Sequence, residues 1–83
     1  MAFVYILQSQ SSGRNYIGST NDLDRRLSEH HRNHTPSTRG RGPWILVHQE
    51  TFPTLPDARR REFEIKRWKS AKLVRELIDS RKG

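Results

Sequence analysis

The sequence predicts an α+β fold, in which a small three-stranded antiparallel sheet is flanked by helices in the order ββαβαα. Two apolar segments rich in aromatic and β-branched residues flank a short run of Ser, Gln and Gly, a pattern typical of a β-hairpin. Farther along, apolar residues recur at helical spacing behind residues that favour helix starts. With 83 residues and no internal repeat, the chain is expected to form one domain over residues 1–83.

Three strands are predicted from residue type and from the turn-forming residues between them. The first covers Ala2–Gln8, and the loop Ser9–Gly13 leads into a second strand over Arg14–Ser19. The segment His34–Gly42 is polar, basic and glycine-containing, and is predicted to be a mobile loop. Trp44–Phe52 then forms the third strand.

Three helices are predicted from caps and periodicity. Thr20 or Asn21 can cap a first helix that runs to about residue 31, and Thr54 a second that runs to about residue 69. Ser70 starts a third helix, whose apolar residues share one face at helical spacing. These residues are Leu73, Val74, Leu77 and Ile78.

The composition narrows the classes of function. Sixteen Lys and Arg against nine Asp and Glu give a net charge of +7, which indicates a polyanionic partner such as DNA, RNA or an anionic membrane. A basic surface that serves only solubility is the alternative. Disulfides, Cys-bound zinc and thiol catalysis are excluded because the chain has no cysteine. Because no apolar run approaches the roughly 18 residues of a membrane span and the first residues look like a strand, a cytoplasmic protein is expected.

Two tyrosines are candidates for a catalytic role. Tyr5 and Tyr16 stand in the middle of the first and second strands, roughly opposite one another if the hairpin turns midway through its loop. Because side chains alternate along a strand, this pairing places both phenols on one face of the sheet. The alternative is that both rings are core aromatics whose hydroxyls are satisfied by hydrogen bonds.

An arginine and a histidine on the first helix could bind phosphate. Arg26 lies between Leu23 and Leu27, which give that helix its buried stripe, and His30 lies one turn farther along the same side. The guanidinium of Arg26 offers a fixed fork of donors for a phosphate. Two solvated side chains are the alternative, and the neighbouring Arg25 is expected to be exposed to solvent.

Glu62 is the strongest carboxylate candidate for a metal ligand. On the second helix it shares a face with Ala58 and Ile65, which point towards the core. A carboxylate aligned with an apolar face is costly unless it is paired or binds a metal. Lys66, four residues on, is the alternative partner in a simple ion pair.

The remaining acidic residues and histidines give weaker indications. Asp22 and Asp24 are expected at the start of the first helix, where the helix dipole favours them. Glu50 closes the third strand and could approach the site. The histidines at positions 31, 34 and 48 show no metal-ligand spacing, so they are expected at the surface or at a strand edge.

Three short motifs in order resemble the GIY-YIG nuclease superfamily. FVY at residues 3–5 stands at the family's Gly-Ile-Tyr element, with Phe in place of Gly, and YIG at residues 16–18 matches literally. Residues 16–30 resemble the family's second strand and first helix, and ARRREFEIK at residues 58–66 resembles the helix with its metal-binding Glu. Small stand-alone bacterial members of the YhbQ type look most similar. TRGRGPW at residues 38–44 also resembles the nuclease subunit of structure-specific endonucleases.

The resemblance implies a metal-dependent nuclease. Glu62 would hold a single Mg²⁺, for which Mn²⁺ can substitute, with water in the remaining positions. Tyr16, with Tyr5 beside it, would orient or deprotonate the attacking water, and Arg26 would neutralise charge on the scissile phosphate. His30 would orient water or contact phosphate. A phenol that deprotonates water needs its pKa lowered from about 10, by Arg26 or by the metal.

Together these features predict a Mg²⁺-dependent DNA endonuclease that acts in repair, recombination or DNA processing. Five basic residues are expected to follow the phosphate backbone: Arg25, Arg32, Arg39, Arg41 and Lys66. The flexible segment Gly40–Gly42 favours single-stranded or branched DNA over intact duplex. The alternatives are a catalytically weak nucleic-acid-binding module of the same fold and an RNA-binding or RNA-processing protein. No membrane partner is expected, and a protein partner is compatible with each alternative.

Overall fold

The computed structural model describes residues 1–31 and 43–80, which form three strands and three helices in the predicted order. The strands pair antiparallel in the spatial order β2-β1-β3, so the first strand is central and the other two form the edges. The predicted fold class is therefore confirmed. The elements are β1 Ala2–Ser9, β2 Asn15–Thr20, α1 Leu23–His31, β3 Trp44–Phe52, α2 Leu55–Arg67 and α3 Ala71–Ser80.

One layer of the core lies between the sheet and the last two helices. Val4 and Ile6 of β1 are fully buried there, because successive side chains of a strand point to opposite faces. They pack against Ala58 and Ile65 of α2 and against Val74 of α3. The spacing of Ala58 and Ile65 is two helical turns, which aligns them on the face of α2 that meets the sheet.

The second layer lies on the other face of the sheet, under α1. Tyr5 and Leu7 of β1 point into it, and Leu23 and Leu27 of α1 pack against them. Trp44, at the start of β3, closes this layer. The nine-residue helix α1 covers a small area, so this layer consists of few residues and half of the candidate site lies within it.

Asp22 caps α1, one residue later than the sequence predicts. The helix begins at Leu23, and the backbone N–H of Arg25 donates to Oδ1 of Asp22. Thr20 instead accepts from the backbone N–H of Asp22 and so shapes the turn before the helix. Asp24 lies in the first turn, as predicted.

The junction between α2 and α3 is sharper than predicted. Thr54 caps α2 and accepts from the backbone N–H of Asp57, as expected. The helix ends at Arg67, because Lys69 adopts a left-handed φ of 49° that no α-helix continues through. Ser70 then caps α3 through the backbone N–H of Leu73.

Several predicted features lie outside the described residues. Arg32, Arg39 and Arg41 are among them, as is the loop predicted over His34–Gly42. The resemblance in residues 38–44 falls mostly in the same gap. Among the helices of residues 1–31 and 43–80, none is long and apolar enough to cross a membrane.

Candidate active site

Both tyrosines lie on the α1 side of the sheet. Tyr5 pairs with Gly18 and Tyr16 with Leu7, so the two rings are diagonal neighbours on one face rather than directly opposite. Their centroids are 6.3 Å apart, within the range of aromatic contact. The shared face is as predicted, whereas the opposite placement is wrong by two residues, because the loop turns closer to β2 than its midpoint.

Gly18 makes room for the phenol of Tyr5. A Cβ atom at this position would lie 2.5 Å from the Tyr5 hydroxyl oxygen and 2.6 Å from Cζ, far inside van der Waals contact. The hydroxyl therefore lies directly over the backbone of β2. The glycine of the YIG motif thus has a steric cause, which is the close approach of a side chain rather than an unusual backbone angle.

Two side chains of α1 contact the Tyr5 hydroxyl. Nε of Arg26 donates to it at 3.4 Å, and Nε2 of His30 lies 3.1 Å away. The His30 ring is 1% exposed and meets both phenols edge-on, with centroids 5.8 Å from Tyr5 and 5.0 Å from Tyr16. The structure therefore brings together four of the five predicted catalytic residues, and the His30 ring is buried against both phenols. The four are Tyr5, Tyr16, Arg26 and His30.

Burial decides the protonation of Tyr5. Desolvation raises the pKa of this phenol, and the hydrogen bond from Arg26, which lowers it, is the smaller effect. The negative charge of Glu62 adds a small further increase to this pKa. Tyr5 therefore keeps its proton at neutral pH, so its hydroxyl can accept from Arg26 and donate to His30 Nε2.

Glu29 positions Arg26, a role that the sequence analysis missed. Its carboxylate accepts from Nη1 of Arg26 at 3.1 Å and from Nε of Arg25 at 3.2 Å. Arg25 is 77% exposed, as expected, while Arg26 is 34% exposed. The spacing of three and four residues on one helix was the available signal, because such pairs face each other.

A groove of about 280 Å³ opens beside Arg26, between the end of β2 and the start of α2. Its lining includes Ser19 of β2, Arg25 and Arg26 of α1, and Arg59 of α2. Arg59 is not among the substrate contacts that the sequence predicts. Its place in the groove results from packing of α2 against β2, which spacing along the chain does not disclose.

Glu62 stands on the opposite face of β2 from the phenols. Ser19 donates to its Oε1 at 2.5 Å, and Nζ of Lys66 lies 2.5 Å from Oε2. The ion pair with Lys66, weighed above as an alternative, is therefore present. Because β2 is an edge strand, a chain lying along this edge could contact Glu62 from one face and Arg26 from the other.

The surroundings of Glu62 fit one kind of metal site. Within residues 1–31 and 43–80, no group of three or more acidic, His or Cys side chains is arranged to hold a metal ion. A hydrated Mg²⁺ needs only one or two carboxylates, since water completes its octahedral shell. The Glu62 side chain is 20% exposed, and Lys66, at 51%, can move aside. Glu62 thus fits a cation that keeps most of its water.

A second polar cluster occupies the far edge of the sheet, on β3. His48 lies on an edge strand, one of the two predicted placements, but its side chain is buried, and its Nε2 donates to Glu50 at 2.8 Å. Nε of Arg61 donates to the same carboxylate at 3.0 Å, and its guanidinium lies over the ring of Trp68. Glu50 therefore ties β3 to α2. It does not join the site, because β2 and β3 are opposite edges of the sheet.

Comparison with known proteins identifies the family. The model of the GIY-YIG catalytic domain matches residues 1–75, which include both phenols, α1 and Glu62. The chain belongs to the GIY-YIG family. A UPF0213 protein of Halalkalibacterium halodurans is 40% identical over 82 residues, covering 98% of this chain and 84% of its own. A UPF0213 protein of Halobacterium salinarum is 42% identical over 67 residues, and the match covers 80% of this chain and 86% of that protein.

One further relative and one solved structure agree with this placement of the GIY-YIG chain. A UPF0213 protein of Nitratidesulfovibrio vulgaris is 46% identical over 66 residues, although the match spans only 59% of that longer protein. The solution NMR structure of BH0048, the UPF0213 protein of Halalkalibacterium (Bacillus) halodurans compared above, has a TM-score of 0.60 at 38% identity. It covers 95% of this chain and 84% of its own. The chain is therefore a UPF0213-type GIY-YIG protein, as the YhbQ-like resemblance predicts.

Proposed function

We propose that this GIY-YIG chain is a Mg²⁺-dependent nuclease that hydrolyses phosphodiester bonds in DNA. The observation that carries the proposal is the convergence of Arg26 and His30 on the Tyr5 hydroxyl, at the edge strand whose other face carries Glu62. Membership of a nuclease family supports it. Single-stranded or branched DNA in repair, recombination or DNA processing is the proposed substrate.

Each residue of the α1 side has a role in this proposal. Arg26 stabilises charge on the scissile phosphate, and Glu29 fixes its guanidinium in place. Tyr16, which is less buried than Tyr5, orients the attacking water. Tyr5 and His30 act as positioning residues, because both are almost completely buried and their polar atoms face each other.

Glu62 is the proposed metal ligand, with Mn²⁺ able to replace Mg²⁺. When bound, the ion supplies positive charge that stabilises the phosphate and the leaving oxygen. Ser19 holds the carboxylate in a fixed orientation through its hydroxyl. Lys66, released from Glu62, becomes available to a neighbouring phosphate.

The decisive experiment compares two glutamates of the same helix. Glu62→Ala should abolish cleavage of a labelled single strand in Mg²⁺ while leaving its binding intact or tighter, because a negative charge near phosphate is lost. Glu64→Ala is the matched control, since Glu64 is exposed and pairs with Arg61 instead. Cleavage by Glu62→Ala within about tenfold of the parent rate, one decade being about 1.4 kcal/mol of barrier, would overturn the assignment.

A catalytically weak nucleic-acid-binding module is the second candidate. One observation favours it, namely that both oxygens of Glu62 already have partners in Ser19 and Lys66. In that case the protein should bind single strands but leave both DNA and RNA intact in Mg²⁺ and in Mn²⁺. Incubation with mixed DNA and RNA, with and without each metal, separates the two candidates and also tests RNA as the substrate.

A further inference from the structure

A second cationic depression lies on the other side of Glu62 from the Arg26 groove. It is about 500 Å³ in volume and is formed where the β1–β2 hairpin meets the junction of α2 and α3. Arg14 and Asn15 line it from the hairpin, and Lys66 and Lys69 from α2 and the residues after it. No role has been assigned to Arg14, Asn15 or Lys69 above.

The charge of this depression is positive and largely unpaired. Arg14 and Lys69 are exposed, and neither has an ion pair within the described part of the chain. Lys66 pairs with Glu62 alone among the described residues. Two free cations and a third that a metal ion would release therefore surround one cavity, which favours an anionic ligand.

The floor of the depression is apolar. Ile17 of β2, Ile65 of α2 and Val74 of α3 form it, and all three belong to the core layer between the sheet and the last helices. The side chains of this floor offer a free phosphate no hydrogen-bond donor. An apolar floor under a cationic rim instead suits a nucleotide, whose sugar and base are less polar than its phosphate.

The depression and the Arg26 groove lie towards opposite ends of β2. Asn15 and Ile17 face it near the start of the strand, and Ser19 lines the Arg26 groove near the end. Ser19 follows Asn15 by four positions of β2, a span of about 13 Å at roughly 3.3 Å per residue. Glu62 contacts Ser19, and its partner Lys66 reaches the depression, so Glu62 lies between the two cavities.

We propose that this depression binds the nucleotides next to the scissile phosphate, with Arg14 and Lys69 contacting their backbone. A single polynucleotide strand would then run along the exposed edge of β2, from the hairpin depression past Glu62 to the Arg26 groove. The inference rests on the proposed nucleic-acid substrate. It adds the path that the DNA strand takes and the side of the site on which the neighbouring nucleotides bind. It requires no reading of bases.

The test is a binding measurement that needs no cleavage. The double variant Arg14→Gln/Lys69→Gln is titrated against a fluorescein-labelled single-stranded DNA in EDTA, over a range of salt concentrations. The matched control is Lys72→Gln/Arg75→Gln, which removes the same charge from exposed positions of α3 outside the depression. Glutamine keeps a long side chain at Lys69, whose backbone is left-handed.

The expected result is a change in salt dependence that is specific to the first variant. Each lost contact with a single strand reduces the slope of log K against log salt by about 0.7, so two contacts reduce it by about 1.4. The control should keep the parent slope. Equal changes in both variants, or none in either, would overturn the inference. Failure of the nuclease proposal would appear separately, as absent cleavage by the parent protein with binding unchanged.

Discussion

At the scale of single residues, the site depends on close side-chain contacts that the short sequence motifs predict only in part. The sequence predicted from strand alternation that Tyr5 and Tyr16 share a face and from helix spacing that His30 lies beside Arg26, whereas only the family resemblance joined Arg26 to the phenols. It gave no reason for Gly18, whose requirement arises from the ring packed on it across the sheet. The burial of His48 was also missed, since a histidine on an edge strand gives no sign of the helix that covers it.

Gly18→Ala should displace the Tyr5 phenol. The added methyl group would lie 2.5 Å from the hydroxyl oxygen, so the ring must move or the strands must separate. Overpacking of this kind typically costs about 1–3 kcal/mol, and urea unfolding should detect it. In a Tyr5→Leu background the same substitution should cost much less. An equal cost in both backgrounds would show that the ring is not the obstacle.

Lys66→Met should tighten metal binding at Glu62. The ammonium group lies 2.5 Å from Oε2, so a cation that binds this oxygen must displace it. Two unit charges 4 Å apart interact by about 1 kcal/mol in water, so removing the competitor should strengthen Mn²⁺ binding about fivefold. Calorimetry or electron paramagnetic resonance can measure this. Lys69→Met is the control, and weaker or unchanged binding by Lys66→Met would contradict the expectation.

At the scale of elements, order and type were predictable, whereas the boundary between α2 and α3 was not. Alternation, periodicity and the Thr54 cap predict all six elements in their observed order. The end of α2 was predicted two residues too late. Lys69 has a left-handed backbone conformation, which a glycine at this position would have indicated and a lysine does not. The connection between β3 and α2 through Glu50 was equally invisible, since its partners come from different elements.

Acid should weaken the link between β3 and α2. Burial alone would raise the pKa of Glu50, but the hydrogen bonds and charges of His48 and Arg61 together outweigh it and lower this pKa below 4.5. Its contribution to stability is therefore complete above about pH 4.5, the ordinary value in the unfolded chain, and is lost as pH falls through the folded pKa.

Glu50→Gln should remove that part of the acid dependence. The free energy of unfolding, measured by urea between pH 3 and pH 7, should fall less steeply with acid than in the parent protein. Arg61→Gln should have a similar effect, and the double variant should lose no more than either single variant. If the free energy of unfolding fell with acid as steeply in Glu50→Gln as in the parent protein, this carboxylate would contribute nothing to the stability of the fold.

At the scale of the whole molecule, function depends on where the charge of +7 lies. Composition predicts a polyanionic partner, but it cannot say that cations flank Glu62 on both sides of one edge strand. Arg26 and Arg59 line one cavity there, and Arg14 and Lys69 the other. This arrangement arises from the β2-β1-β3 strand order, which exposes β2 between α1 and α2.

The exposed β2 edge leads us to expect that single-stranded and branched DNA are cleaved faster than blunt duplex. A DNA strand that follows one edge of the sheet is contacted from both faces of the sheet. In a duplex, the complementary DNA strand would obstruct these contacts. Side-by-side digestion of a single strand, a flap, a junction and a blunt duplex in Mg²⁺ at fixed salt measures the preference. With about four phosphate contacts, log K for the single strand should fall against log salt with a slope near −3. Fastest cleavage of the blunt duplex at one defined sequence would instead require a partner that reads bases, because a path held by phosphate contacts carries no sequence information.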